Sequence, residues 1–89
     1  MEGVSILMGK LESVMAAVIR GASDNNIGFT DLRNLLESLG FEVRIKGDHF
    51  VYSKGGIAEI INIQPLGNKA KPYQVKQIRN LILKYKLAR

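Results

Sequence analysis

Between Phe41 and Ser53 the chain carries a pattern that leaves little conformational choice. Phe41, Val43 and Ile45 are apolar, Glu42, Arg44 and Lys46 are charged, and the alternation stops at Gly47-Asp48. Successive side chains of a strand point to opposite faces, so a strict period of two marks a half-buried strand. Gly47 holds the first central position of a two-residue turn, where a type II′ hairpin needs positive φ. The segment predicts a strand over 41–46, a tight turn, and a second strand from His49 to Ser53 or Lys54. Gly55-Gly56 predicts a further tight turn, and a third strand from Ile57 to Ile63 or Gln64 is stopped by Pro65.

Two-residue turns also set a register. Lys46 then faces His49, Ile45 faces Phe50, Arg44 faces Val51 and Val43 faces Tyr52. The same count through Gly55-Gly56 pairs Lys54 with Ile57, Phe50 with Ile61 and His49 with Asn62. Opposed residues share a face. One face collects Phe41, Val43, Ile45, Phe50, Tyr52, Ile57, Ile61 and Ile63. The other collects His49, Lys46, Arg44 and Asn62, so the histidine is not a core residue. Glu59 on the apolar side and Ile60 on the polar side break the pattern, which points to a bulge in the third strand.

Helical spacing flanks these strands. Val4, Leu7, Met8, Leu11, Val14, Met15 and Val18 form one stripe, and Gly21 ends that helix near Arg20. This stripe either covers part of the core or, as an alternative, pairs subunits through Val4, Leu7, Leu11 and Val18. Thr30 or Asp31 can cap a second helix whose stripe is Leu32, Leu35, Leu36 and Leu39, with Gly40 as a left-handed C-terminal cap. Gly67 to Lys71 reads as a basic loop. Pro72 suits the first turn of a last helix, which buries Val75, Ile78, Leu81, Ile82 and Tyr85 and turns Lys76, Arg79, Lys84 and Lys86 outward. The expected fold is α+β: a three-stranded antiparallel sheet with helices on one face, α-β-β-β-α, plus an extra N-terminal helix.

At 89 residues this is one small domain, and 46% apolar against 24% charged residues suits a globular chain. Without cysteine there is no disulfide framework and no thiolate site, which fits a reducing cytoplasm. Glu2, Lys10 and Glu12 interrupt the first apolar stretch, so it reads as neither a signal peptide nor a membrane span, and the expected location is cytoplasmic. One histidine with scattered carboxylates does not supply a usual metal-ligand set, and no cofactor motif is present.

Charge is unevenly spread. Residues 1–40 carry three basic and five acidic side chains, net −2, whereas residues 41–89 carry ten basic and three acidic, net +7. A half this basic suggests a polyanion such as RNA, or an acidic protein. His49, the only histidine, sits within that half. A Ser-His-Asp arrangement with Ser53 and Asp48 is poorly placed for nucleophilic attack. A general acid or base is the remaining chemistry: RNA cleavage needs a base for the 2′-hydroxyl and cations for the phosphorane, and His49 ringed by Lys46, Arg44 and Lys71 matches that need. The plain reading, an inert surface histidine on a basic hairpin, stands beside it.

From about Ile27 to Leu87 the chain resembles the HicA family of toxins, mRNA interferases neutralised by HicB antitoxins. The likeness rests on a Leu-rich helix ending in Leu39-Gly40-Phe41, on Arg44-Ile45-Lys46-Gly47-Asp48-His49-Phe50-Val51-Tyr52, and on Lys69-Ala70-Lys71-Pro72 leading into a helix. The second stretch is similar to the family's lysine-glycine-serine-histidine-histidine motif, with Asp48 at the serine and Phe50 at the second histidine. The resemblance implies a fold like that of a double-stranded-RNA-binding domain (dsRBD-like) over 27–89, with residues 1–26 as an N-terminal helical extension. It further implies a metal-independent mRNA endoribonuclease with His49 as the catalytic residue. Lys46, Arg44, Lys69 and Lys71 would bind RNA, and a HicB-like antitoxin would be the acidic partner. The competing expectation is a non-catalytic RNA-binding module of the same fold.

Overall fold

The computed structural model describes the backbone of residues 2–88 and the side chains of residues 9–88. Helix α1 (Glu2–Arg20) is followed by a 3-10 turn (Asp24–Asn26) and helix α2 (Phe29–Ser38). Strands β1 (Glu42–Lys46), β2 (His49–Lys54) and β3 (Ile57–Ile63) form one antiparallel sheet in the order β1-β2-β3. Two short strands, β4 (Pro65–Leu66) and β5 (Lys69–Ala70), make a separate hairpin before helix α3 (Pro72–Lys84). The chain is α+β, with the three-stranded sheet, its flanking helices and the additional N-terminal helix that the sequence predicts.

The core is where the apolar stripes converge. Leu32, Leu35 and Leu36 of α2 and Val75, Ile78, Leu81 and Ile82 of α3 are buried with Tyr52, Ile61 and Ile63 of the sheet. Val14 and Val18 of α1 belong to the same core, Val18 with no exposed surface. That burial turns Val18 inward rather than toward a second subunit. Val4, Leu7 and Met8 lie outside the described side chains.

The first hairpin has the register that the alternation dictates: Val43 opposite Tyr52, Arg44 opposite Val51, Ile45 opposite Phe50 and Lys46 opposite His49. Gly47 has φ +62°, and Asp48 is not at positive φ, which is the type II′ arrangement. Gly40, at φ +92°, closes α2 as expected. The second pairing differs. Lys54 does face Ile57, but a bulge follows, after which Tyr52 faces Ile61, Val51 faces Asn62 and Phe50 faces Ile63. The register has slipped by two residues, an even number, so every side chain keeps its expected face while its partner changes. Asn62 stands opposite Val51, not His49.

Glu59 lies within the bulged segment, between Ile57 and Ile61. On the helix side of the sheet, its carboxylate accepts hydrogen bonds from Lys84 Nζ at 2.7 Å and Tyr85 Oη at 2.5 Å. A charged group is tolerated there because α3 ends beside it with a cation. These bonds, the Lys84 one foremost, hold the Glu59 carboxyl down at about 2.

Other expectations give way to tertiary contacts. Ile45 is 53% exposed, since β1 is an edge strand and the helices leave its outer end uncovered. Helix α2 starts at Phe29 with Gly28 as its cap residue, earlier than Thr30 or Asp31 would place it, and no side chain caps it. The reason is the β4–β5 hairpin, missed as a plain basic loop although Gly67-Asn68 is suitable hairpin chemistry. Phe29 donates its N–H to Asn68 O and Ala70 donates to Ile27 O, clamping the start of the helix. Arg79 is no solvent decoration: it forms a two-pronged pair with Asp24 at 2.9–3.1 Å and donates to Val18 O, tying α3 to the end of α1.

A candidate nucleic-acid interface around His49

The outer face of the sheet, away from the helices, carries His49. Its side chain is 50% exposed at the start of β2, beside the Gly47-Asp48 turn. Lys46 lies directly across the hairpin, and Arg44 two residues further along β1 on the same face. Both are exposed. Asp48 Oδ1 lies 3.8 Å from His49 Nε2.

The two-residue slip in β3 decides what else reaches the imidazole. Continuing the observed register places Gln64 opposite His49, and the side-chain amide of Gln64 lies 3.2 Å from Nε2. On its other side, Gln64 Oε1 accepts from Lys71 Nζ at 3.1 Å. An ammonium can only donate, so the amide oxygen must face Lys71 and the amide nitrogen must face the ring. His49 Nε2 is then an acceptor, and the ring proton of the neutral imidazole sits on Nδ1. The arrangement presents a lone pair on Nε2, at the surface, one amide away from a fixed cation.

Gln64 is itself held. Its backbone N–H donates to Oε1 of Gln74 at 3.0 Å, and Gln74, only 3% exposed, is the one buried polar side chain among the described residues. Gln74 Nε2 in turn reaches the hydroxyl of Tyr73 at 3.4 Å. Tyr73 is 65% exposed at the start of α3, next to Lys71. Lys71 is the residue before Pro72, so the fixed φ of proline and the buried Ala70 together set where its side chain emerges.

Of the residues singled out in the sequence, His49 and Lys71 meet through Gln64, Lys46 adjoins by register, and Arg44 extends the row. Lys69 is different: it pairs with Leu66 and bridges to Gly28 on the β4–β5 hairpin, and among the described residues no polar contact ties it to His49. Gln64 and Gln74 were not read as site residues. The signal for Gln64 was the Glu59–Ile60 break in alternation, which implied a bulge but not its size.

Phe50 and Arg33 lie on the opposite side of the sheet from His49. Phe50 faces the helices, edge-on to Phe29 with ring centroids 5.1 Å apart, and the Arg33 guanidinium lies 4.4 Å over its ring. Arg33 also donates to Tyr52 Oη at 2.9 Å, which donates to Glu37 at 3.0 Å. Burial pushes the Tyr52 hydroxyl up, so it stays protonated and can make that donation. A side chain at position 50 therefore does not share the face of His49.

Pairing sorts the cations. Arg79, Arg33, Lys84 and Lys10 are matched to Asp24, Glu37, Glu59 and Asp31. Arg44, Lys46 and Lys71 form no salt bridge among the described residues, so three of the cations left without a carboxylate lie near the histidine; Arg20, Lys54, Lys69, Lys76 and Lys86 are likewise in no salt bridge there. No three His, Asp or Glu side chains converge among the described residues, and no helix there is long and apolar enough to cross a membrane. Searches against protein-family models, curated proteins and solved structures found no match to this chain.

Proposed function

We propose that the protein is a HicA-like endoribonuclease acting on single-stranded mRNA, with His49 as general base. The observation that carries this reading is the Gln64–His49 contact, which keeps the Nε2 lone pair at the surface beside Lys71 and Lys46. A substrate 2′-hydroxyl takes the place of the Gln64 amide N–H and gives its proton to Nε2. The 2′-oxygen then bonds to phosphorus, the P–O5′ bond breaks, and the departing O5′ takes a proton from water, leaving a 2′,3′-cyclic phosphate, while the hydroxide so formed takes the proton from Nε2 and restores the neutral imidazole. Lys71 and Lys46 meet the negative charge that builds on the phosphorane oxygens. Arg44 and Lys69 contact the backbone on either side, and the exposed ring of Tyr73 offers a stacking surface to an unpaired base. The three stretches similar to HicA, around Leu39, His49 and Lys71, support the same reading.

An acidic HicB-like antitoxin fits the same unpaired cations and would act by covering His49. A chain with no cysteine suits the reducing cytoplasm, where mRNA is met.

The test is cleavage of a mixed-sequence RNA by purified protein without divalent metal, wild type beside His49→Ala. Cleavage by the wild type alone sustains the reading. Equal RNA binding by both with cleavage by neither replaces it with a non-catalytic RNA-binding module. Equal cleavage by both removes His49 from the chemistry.

A further inference from the structure

Strand β1 is an open edge. It has β2 on one side only, and among the described residues no backbone hydrogen bond reaches its outer side. In a two-residue hairpin the residues flanking the turn exchange both hydrogen bonds, so Lys46, Arg44 and Glu42 turn their N–H and C=O groups toward β2. Val43 and Ile45 must then turn theirs outward. We propose that this edge pairs with the same edge of a second copy, antiparallel about a two-fold axis at Arg44, making one six-stranded sheet.

The sequence of the strand is complementary to itself in that register. Val43 and Ile45 of the second copy exchange both backbone hydrogen bonds, and the symmetric pair does the same. On the helix side, each exposed Ile45 packs against Val43 of the other copy, covering a side chain that is 53% exposed in the monomer. On the outer face, Glu42 stands opposite Lys46 of the second copy, and Lys46 opposite its Glu42. Arg44 meets Arg44 at the axis, a repulsive pair that an anion lying on this face would offset. Edge strand β3 offers no such match, since its one charged residue, Glu59, is already bonded to Lys84. The pairing places the two His49 sites on one continuous outer face, three strand spacings apart across the sheet and four residues apart along it, roughly 20 Å in all. It does not depend on His49 being catalytic.

Sedimentation equilibrium of the full chain over a concentration series tests this. The wild type shows a monomer–dimer equilibrium. Lys46→Glu weakens it roughly tenfold, because two attractive pairs become repulsive, and adding Glu42→Lys to it restores the dimer. Arg44→Thr tightens it. Ile45→Pro abolishes it while the monomer stays folded, since the lost N–H points away from β2. A chain that stays monomeric throughout overturns the proposal, as does a dimer indifferent to Lys46→Glu or not restored by the double reversal.

Discussion

Gln64 stands across the sheet from His49, and its side-chain amide joins the imidazole Nε2 at 3.2 Å to the ammonium of Lys71 at 3.1 Å. One neutral side chain thereby orients the only histidine and links it to a cation from a different part of the fold. His49 lies 15 residues from Gln64 in the chain, and Lys71 seven residues beyond it, across the β4–β5 hairpin.

Replacing that link separates chemistry from binding. Gln64→Leu is expected to lower the RNA-cleavage rate about tenfold to a hundredfold, through loss of imidazole orientation. RNA affinity should stay close to wild type, because Lys71 and Lys46 remain. Gln74→Leu should lower cleavage in the same direction and also destabilise the fold by about 1–3 kcal/mol, since the Gln64 N–H loses its acceptor. Single-turnover kinetics beside filter binding and thermal melts check both variants.

Tyr73 is exposed enough to be changed without disturbing the core. Tyr73→Ala should weaken binding of a single-stranded oligonucleotide by about 1–3 kcal/mol if a base stacks there. Its melting temperature should fall only slightly, since the long 3.4 Å hydrogen bond from Gln74 Nε2 is lost while the apolar core is untouched. Unchanged affinity in a fluorescence-anisotropy titration removes Tyr73 from the interface.

The Arg79–Asp24 pair joins α3 to the turn after α1, with side chains only 16% and 21% exposed. Arg79→Met should cost about 2 kcal/mol, below the figure for breaking a fully buried pair. A double-mutant cycle with Asp24→Asn should show coupling, since the two form two-pronged hydrogen bonds. Additive denaturant midpoints contradict the ion pair.

Glu59 makes stability depend on acid pH. Its carboxyl is lowered from the ordinary 4.5 to about 2 by the Lys84 and Tyr85 hydrogen bonds. A depressed carboxylate contributes stability that is present above its unfolded value and lost as pH falls through its folded value. Wild-type stability should therefore decline between about pH 4.5 and 2, and Glu59→Gln should flatten that part of the curve. The measurement is urea unfolding followed across that range; parallel curves for the two proteins sink the assignment.

Local pattern was enough for the first hairpin and for the helix stripes. Alternation over 41–46 and a Gly-Asp turn define the β1–β2 register because a two-residue loop permits only one alignment of its flanks. That register alone put His49, Lys46 and Arg44 on one exposed face. Leu32, Leu35 and Leu36, with Val75, Ile78 and Ile82, are buried as their helical spacing requires.

What only the tertiary structure decided was every contact made between segments distant in the chain. The β3 bulge, two residues long, and the bonds from Glu59 within it to Lys84 and Tyr85 on α3 are contained in no count through Gly55-Gly56. That bulge replaces Asn62 by Gln64 beside His49. The start of α2 follows from Ala70 and Asn68 docking on Ile27 and Phe29, and the inward turn of Arg79 from Asp24 waiting below it. Periodicity reports which face a residue takes, since that depends on backbone geometry over a few residues. Which partner it meets there depends on how whole elements pack, because a hydrogen bond or ion pair can shift a register by an even step without exposing a single core side chain.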